Sequence, residues 1–259
     1  MAAGTNQDNR MFGTSEWYVA GKRAVDVGLA VALLIPALPL MLLAMAMVKL
    51  SSRGPAIYTQ MRVGLGGRPF VIYKIRTMRK DCEKNTGPRW AERRDPRITV
   101  IGKFLRATHL DELPQLFNVL RGDMTLVGPR PERPEFVSQL ELIIPSYRTR
   151  LDIRPGVTGL AQILLPPDVD VNSVRSKLTY DLFYLKQFCP WLDLKIIACT
   201  GLKVLGVPRR ISRAALGVPM HEEIEAYYEA MIAESPSEEF AAQPVPARSA
   251  DRPEMQPAF

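Results

Sequence analysis

Residues 28–48 read GLAVALLIPALPLMLLAMAMV and carry no charged side chain; no other feature restricts the fold of this chain as severely. As a straight helix they would extend about 32 Å, enough to cross the hydrocarbon of a bilayer. That length exceeds the apolar region of a secretory signal, and a fully buried core helix is the soluble alternative. Lys22 and Arg23 precede the stretch, and Lys49 and Arg53 follow it. Positive charge therefore marks both flanks as cytoplasmic and selects no single orientation. Pro36 and Pro39 lie near the middle, where each removes a backbone donor and crowds the preceding turn, predicting a bend. A helix that enters, breaks at these prolines and returns to the same face satisfies both observations. A proline-kinked straight span also fits.

The 259 residues suffice for one core with an anchor and tails. A formal charge of +7 favours an anionic partner, and nucleic acid, anionic lipid and a phosphorylated substrate all qualify. No zinc, helix-turn-helix or RNA-binding signature accompanies the charge, which argues against nucleic acid. Cys82, Cys189 and Cys199 form no C-x-x-C pair, and only His109 and His221 stand beside them as soft ligands. This predicts a reduced protein without disulfides or structural zinc.

The chain divides into a polar N-terminal segment at 1–20, a membrane helix at 21–53, a catalytic unit at 54–206 and a C-terminal extension at 207–259. Glu16-Trp17-Tyr18 could set aromatic rings at the membrane interface before the helix, and a frayed terminus reads the same way. Residues 56–60 and 69–75 read as strands around Gly64-Leu65-Gly66-Gly67, a hairpin with a glycine turn. The polar stretch at 80–97, broken by Gly87-Pro88 and Asp95-Pro96, reads as a surface loop over a site. A helical pattern begins at Ile101, and Leu113, Leu116, Phe117 and Leu120 continue it as core positions until Gly122. Residues 174–188 and 191–205 are two further helices, amphipathic enough to be either interfacial or core. From 235 onwards the Pro-, Ala- and Glu-rich composition predicts disorder.

Chemistry concentrates at Arg106-Ala107-Thr108-His109-Leu110-Asp111-Glu112-Leu113-Pro114. Pro114 lacks an N–H and fits only a first helical turn, which predicts a helix start near Asp111 with both acids at its positive end. Such acids commonly do no more than complement the dipole. They also suit catalysis: an ionised Asp111 can attack phosphorus, and Glu112 can hold Mg²⁺, a hard cation that prefers carboxylates and substrate phosphates. Arg106, Lys74, Arg76, Arg97 and Lys103 are candidates to neutralise phosphate oxygens, or solvated surface charges.

Pro129-Arg130-Pro131 would present an arginine on a stiff extended backbone, as a nucleotide diphosphate requires, although a plain connector reads the same way. Arg154-Pro155-Gly156-Val157-Thr158-Gly159 offers an arginine and two glycines that permit close ligand approach.

Together the chain resembles the bacterial sugar transferase family, the monotopic phosphoglycosyl transferases acting on polyprenyl phosphate. The resemblance covers residues 20–206. It rests on Lys22-Arg23-Ala24-Val25-Asp26, Tyr73-Lys74-Ile75-Arg76-Thr77-Met78, Asp95-Pro96-Arg97-Ile98-Thr99, Leu110-Asp111-Glu112-Leu113-Pro114-Gln115-Leu116-Phe117-Asn118-Val119-Leu120, Gly122-Asp123-Met124, Val127-Gly128-Pro129-Arg130-Pro131 and Arg154-Pro155-Gly156-Val157-Thr158-Gly159. It implies an α+β, helix-rich fold with a re-entrant N-terminal helix and a small catalytic core on the cytoplasmic face of the bacterial inner membrane. It further implies sugar 1-phosphate transfer from a UDP-sugar to undecaprenyl phosphate through an aspartyl-phosphosugar, with UMP released. Asp111 matches the nucleophile, Glu112 the Mg²⁺ ligand, Arg106 the phosphate-contacting arginine and Pro129-Arg130-Pro131 the nucleotide motif. Family members commonly break the membrane helix at a Ser-Pro pair; Leu38-Pro39 stands there in this chain, with Pro36 removing a second backbone bond. Membrane lipid is an implied partner, a homo-oligomer is compatible with the sequence, and an inactive membrane-anchored scaffold of a polysaccharide assembly system is the alternative reading.

Overall fold

The computed structural model describes residues 16–80, 82, 87, 95–144, 146–166, 170–219 and 222–226, without the side chains of 16–20 and 209. The aromatic side chains expected at the interface, most of the expected surface loop at 80–97, His221 and the tail from 235 lie outside this description.

The apolar stretch forms α1 (Glu16–Ser51), which contains both Pro36 and Pro39. Helical pairing continues through both prolines, so the expected break is not a break in the helix. Each proline frees only one or two carbonyls in the preceding turn, which bends a helix without ending it. Gly21–Ser51, with a mean hydropathy of 2.5, is the one helix among the described residues long and apolar enough to cross a membrane. Asp26, Ala30, Leu34, Ala37, Met41, Ala44 and Val48 are buried along one face, while Leu33, Ile35, Leu42 and Leu43 are exposed.

Both flanks of this helix are bonded to the core. Lys22 Nζ donates to Asp193 Oδ2 at 2.6 Å, and Arg23 donates to Val119 O and Leu120 O at 2.5 and 3.1 Å. At the other end Arg76 donates to Arg53 O at 2.6 Å and Ser52 O at 2.8 Å. Lys22 and Arg23, which read as topology signals, thus also act as intramolecular ties.

The expected hairpin is present as β1 (Ile57–Val63) and β2 (Pro69–Ile75), antiparallel from Ile57 opposite Ile75 to Val63 opposite Pro69. Gly66 and Gly67 make its turn with φ of 61° and 79°, a region that side chains disfavour.

The helical pattern expected after residue 101 is divided into α2 (Val100–Thr108), a 3-10 turn (Leu110–Glu112) and α3 (Gln115–Arg121). Thr99 caps α2 by accepting from Gly102 N at 2.9 Å, a standard N-cap bond. His109 ends it with φ 57°. Leu116 is buried as expected, but Phe117 is 40% exposed. Because α3 starts only at Gln115, its inner face is set by Gln115, Leu116, Asn118 and Val119, and Phe117 falls outside it.

β3 (Thr125–Val127) and β4 (Gly156–Thr158) form a small parallel pair. Around them lie α4 (Pro134–Ile143), α5 (Leu160–Leu164), α6 (Val171–Gln187), α7 (Pro190–Val204) and α8 (Arg209–Leu216). The two late helices expected from periodicity are α6 and α7. One apolar cluster joins the buried face of α1 to Ile72 and Ile75 of β2, Leu105 of α2, Leu116 and Val119 of α3, and Tyr184 and Ile196. The architecture is the expected helix-rich α+β arrangement.

Candidate active site

The acid pair sits on the 3-10 turn between α2 and α3 rather than in the first turn of a helix, because Pro114 is the N-cap of α3. His109 reverses the chain: its N–H donates to Arg106 O at 3.4 Å, and its carbonyl accepts from Glu112 N at 3.2 Å. The turn packs against β2 through Lys74, whose Nζ lies 2.9 Å from Glu112 Oε1.

The two carboxylates have different environments. Arg130 Nη2 also donates to Glu112 Oε1, at 2.8 Å. Burial would raise the Glu112 carboxyl, but the Arg130 and Lys74 charges and bonds overcome it and hold Glu112 well below the usual carboxylate range. Asp111 is 7% exposed and takes no hydrogen bond from the described residues. Burial, reinforced by the charge of Glu112 and opposed by Lys74, Arg106 and Arg130, pushes its carboxyl up to about 6. Asp111 thus lies closer to neutrality than a carboxylate held at a helix terminus would, because desolvation dominates where no donor among the described residues is aimed at the group.

The remaining expected site residues separate into two groups. Lys74 and Arg130 meet at Glu112, with Pro129 and Pro131 bracketing Arg130. Arg106 acts on Asp111 electrostatically, while its Nε donates to Thr77 Oγ1 at 2.9 Å. Arg97 is paired with Asp95 at 2.6 Å. Arg76 is a cap on the end of α1, where Ser52 Oγ takes a further bond at 2.9 Å. Arg154 Nε donates to Gly122 O at 3.1 Å, closing the end of α3. Neither Arg76 nor Arg154 reaches the acid pair by any of these bonds; each donates to carbonyls of residues just after a helix end.

Three contributors escaped the sequence reading. Asn118, fully buried, donates to Val71 O at 2.7 Å and accepts from Tyr73 N at 3.1 Å, locking α3 to the strand that carries Lys74. Arg62 and Arg150 hold carbonyls of residues 131 and 130, at 3.1 and 2.9 Å. An asparagine within an apolar helical run was the one available signal, since polar groups in such positions need tertiary partners.

Among the described residues no group of three or more His, Cys, Asp or Glu side chains forms a metal cage. The pair nevertheless fits Mg²⁺, which binds through one or two carboxylates and completes its shell with water and substrate phosphates. Among the described residues no donor reaches Glu112 Oε2 or either Asp111 oxygen, and the mutual repulsion of the two acids is what a cation would relieve.

The family model described as bacterial sugar transferase matches residues 17–207. The chain is 44% identical over 189 residues to a UDP-N-acetylgalactosamine-undecaprenyl-phosphate N-acetylgalactosaminephosphotransferase of Aeromonas hydrophila, covering 73% of this chain and 44% of that protein. It is 46% identical over 183 residues to a UDP-glucose:undecaprenyl-phosphate glucose-1-phosphate transferase of Caulobacter vibrioides, covering 69% and 67%. A third similar protein, the glucose-1-phosphate transferase of the same description in Xanthomonas campestris pv. campestris, is 40% identical over 205 residues. The matched region spans less than half of the Aeromonas and Xanthomonas proteins, 44% and 41% of their lengths.

Proposed function

Because the chain belongs to the bacterial sugar transferase family, we propose that it transfers a sugar 1-phosphate from a UDP-sugar to undecaprenyl phosphate through a covalent intermediate on Asp111. The observation that carries this reading is the division of labour between adjacent acids: Glu112 is neutralised by Lys74 and Arg130, while Asp111 is desolvated and takes no hydrogen bond from the described residues. Environments that drive two neighbouring carboxyls apart mark distinct chemical roles.

In the first half-reaction an Asp111 oxygen attacks the sugar-bearing phosphorus. The new bond forms as the bond to the bridging oxygen breaks, and UMP departs with that electron pair. In the second, an oxygen of the polyprenyl phosphate attacks the same phosphorus and Asp111 leaves as carboxylate. No proton needs to move at phosphorus, so the protein's task is charge placement and alignment. Lys74, Arg106 and Arg130 supply fixed positive charge, and burial removes water that would compete for Asp111. Glu112, joined by the diphosphate, would hold Mg²⁺, which when bound supplies further neutralisation of the phosphate oxygens.

Attachment of both flanks of α1 to one core supports a re-entrant path with the catalytic unit on a single membrane face, and family membership supports the cytoplasmic face of the inner membrane. The exposed apolar face of α1 fits lipid.

The test is UMP release by detergent-purified protein with Mg²⁺, undecaprenyl phosphate and a panel of UDP-sugars. One donor should give lipid-dependent turnover, and without lipid a burst of no more than one UMP per enzyme. Asp111→Asn should give neither; ordinary turnover by that variant would remove Asp111 as nucleophile.

A further inference from the structure

Residues 129–132 contain two prolines, which contribute no N–H, so only Arg130 and Glu132 offer backbone donors, and the backbone bonds that fix the segment run to its carbonyls. Each successive carbonyl meets a donor from elsewhere in the fold. Pro129 O accepts from Gly156 N at 2.8 Å and Glu132 O from Val63 N at 2.9 Å. The central two are held by guanidinium groups: Arg130 O by Arg150 Nη2 at 2.9 Å, and Pro131 O by Arg62 Nη1 at 3.1 Å.

Arg150 is itself held. Its Nε and Nη2 lie 3.0 and 2.7 Å from Asp181 Oδ2, and its Nη1 donates to Tyr147 OH at 2.8 Å. The side chains of Arg150 and Asp181 are 7% and 5% exposed. Burying such a pair costs desolvation that apolar residues of equal volume would avoid, so stability alone gives weak reason for it. A cavity of about 20 Å³ lies among Arg130, Glu132, Tyr147, Arg150, Gln162 and Asp181. Arg130 borders that space, and its carbonyl is held by the Arg150 bond.

We propose that Asp181 and Arg150 are positioning residues that set the angle at which Arg130 meets Glu112 and the donor diphosphate, acting through the Arg130 carbonyl. The chain of contacts is continuous: Asp181 fixes the fork of Arg150, Arg150 fixes the Arg130 carbonyl, and the prolines on either side transmit that constraint to the Arg130 side chain, 2.8 Å from Glu112. The pair stands one residue removed from substrate, and rests on the reading of Arg130 as a donor ligand given above.

The experiment compares the full-length chain with Asp181→Asn, which keeps shape and one acceptor, and Tyr147→Phe, which removes one bond to Arg150 without stranding a charge. Donor KM, kcat and the lipid-free UMP burst are measured alongside hydrogen exchange of the amides in 128–133 and 171–187. Asp181→Asn should raise donor KM about tenfold with an unchanged burst amplitude, the loss of one charge-assisted constraint. Tyr147→Phe should raise it roughly threefold. In an Arg130→Lys background Asp181→Asn should add less than about twofold, because the two act as one unit. Exchange should accelerate in 128–133 while 171–187 stays protected. A lowered burst at constant KM, multiplicative effects in the Arg130→Lys background, or equal loss of protection in both segments would overturn the proposal and leave a purely structural pair. If the unsubstituted chain releases no UMP, the transferase reading fails, and the exchange pattern alone decides whether the pair positions Arg130.

Discussion

Lys74 Nζ lies 2.9 Å from Glu112 Oε1, which fastens the second strand of the hairpin to the turn that carries both acids. Burial pulls the Lys74 ammonium below its ordinary range, and the Glu112 charge opposes that pull. On the proposed mechanism, Lys74→Met should therefore lower kcat/KM for the donor by at least about a hundredfold, as loss of a desolvated cation beside the reacting acids does. Combined with Glu112→Gln it should show a coupling of about 1–3 kcal/mol in a double-mutant cycle. Additive losses would mean that the two side chains act independently.

Asp111 is expected to trade stability for reactivity. Its folded-state carboxyl, at about 6, lies above the ordinary 3.8, so its protonated form is favoured by folding. That contribution is fully present below pH 4 and lost as pH rises through about 6. Asp111→Asn should thus abolish turnover yet stabilise the metal-free protein by about 2–3 kcal/mol at pH 7.5. The gain should vanish at pH 4, as read from denaturation midpoints at both values. In the Mg²⁺-dependent reaction, donor kcat/KM should rise with pH as Asp111 ionises and level off below the metal-free value of about 6, since attack requires the ionised form and a cation beside the pair favours it.

Arg76 distinguishes a helix cap from a phosphate ligand. Its bonds to Ser52 and Arg53 predict that Arg76→Ala costs about 2–4 kcal/mol of stability and leaves donor KM within about twofold. Unchanged stability with a raised KM would restore Arg76 to the substrate site.

Gly102 permits the contact that aims Arg106. A Cβ there would stand 1.9 Å from Thr77 O, and Thr77 Oγ1 accepts from Arg106 Nε. Gly102→Ala should cost about 1–3 kcal/mol by forcing α2 away from the Thr77 backbone just beyond β2, with a fall in kcat as Arg106 shifts. Gly201→Ala is the control, since a Cβ at that position would meet nothing within 4 Å; in the last turn of α7 it should be neutral or stabilising by up to about 1 kcal/mol.

Much of the backbone was legible locally. The hairpin followed from two glycines that adopt positive φ, and α6 and α7 from apolar spacing interrupted by Cys189-Pro190. Pro114 signalled a second helix start after the pattern beginning at Ile101, but the 3-10 turn between α2 and α3 was not legible, because it depends on His109 taking a left-handed conformation that its sequence neighbours do not require. Pro114 was correctly placed at a helix start, but the helix began three residues beyond Glu112, which left the acids on their own turn.

By itself the sequence determined that an apolar helix precedes a mixed core, where the hairpin turns, and that Asp111 and Glu112 lie together beside several cations. These follow from properties that act over a few residues: hydrophobic period, backbone dihedral preference and proline's missing donor. Only the tertiary structure decided which cations serve the acids. Lys74 and Arg130 reach Glu112 across sequence separations of 38 and 18 residues, while Arg76 and Arg154 close helix ends instead. A guanidinium has the same local signature in every case, and its role is set by which unsatisfied oxygen the fold brings within hydrogen-bonding reach.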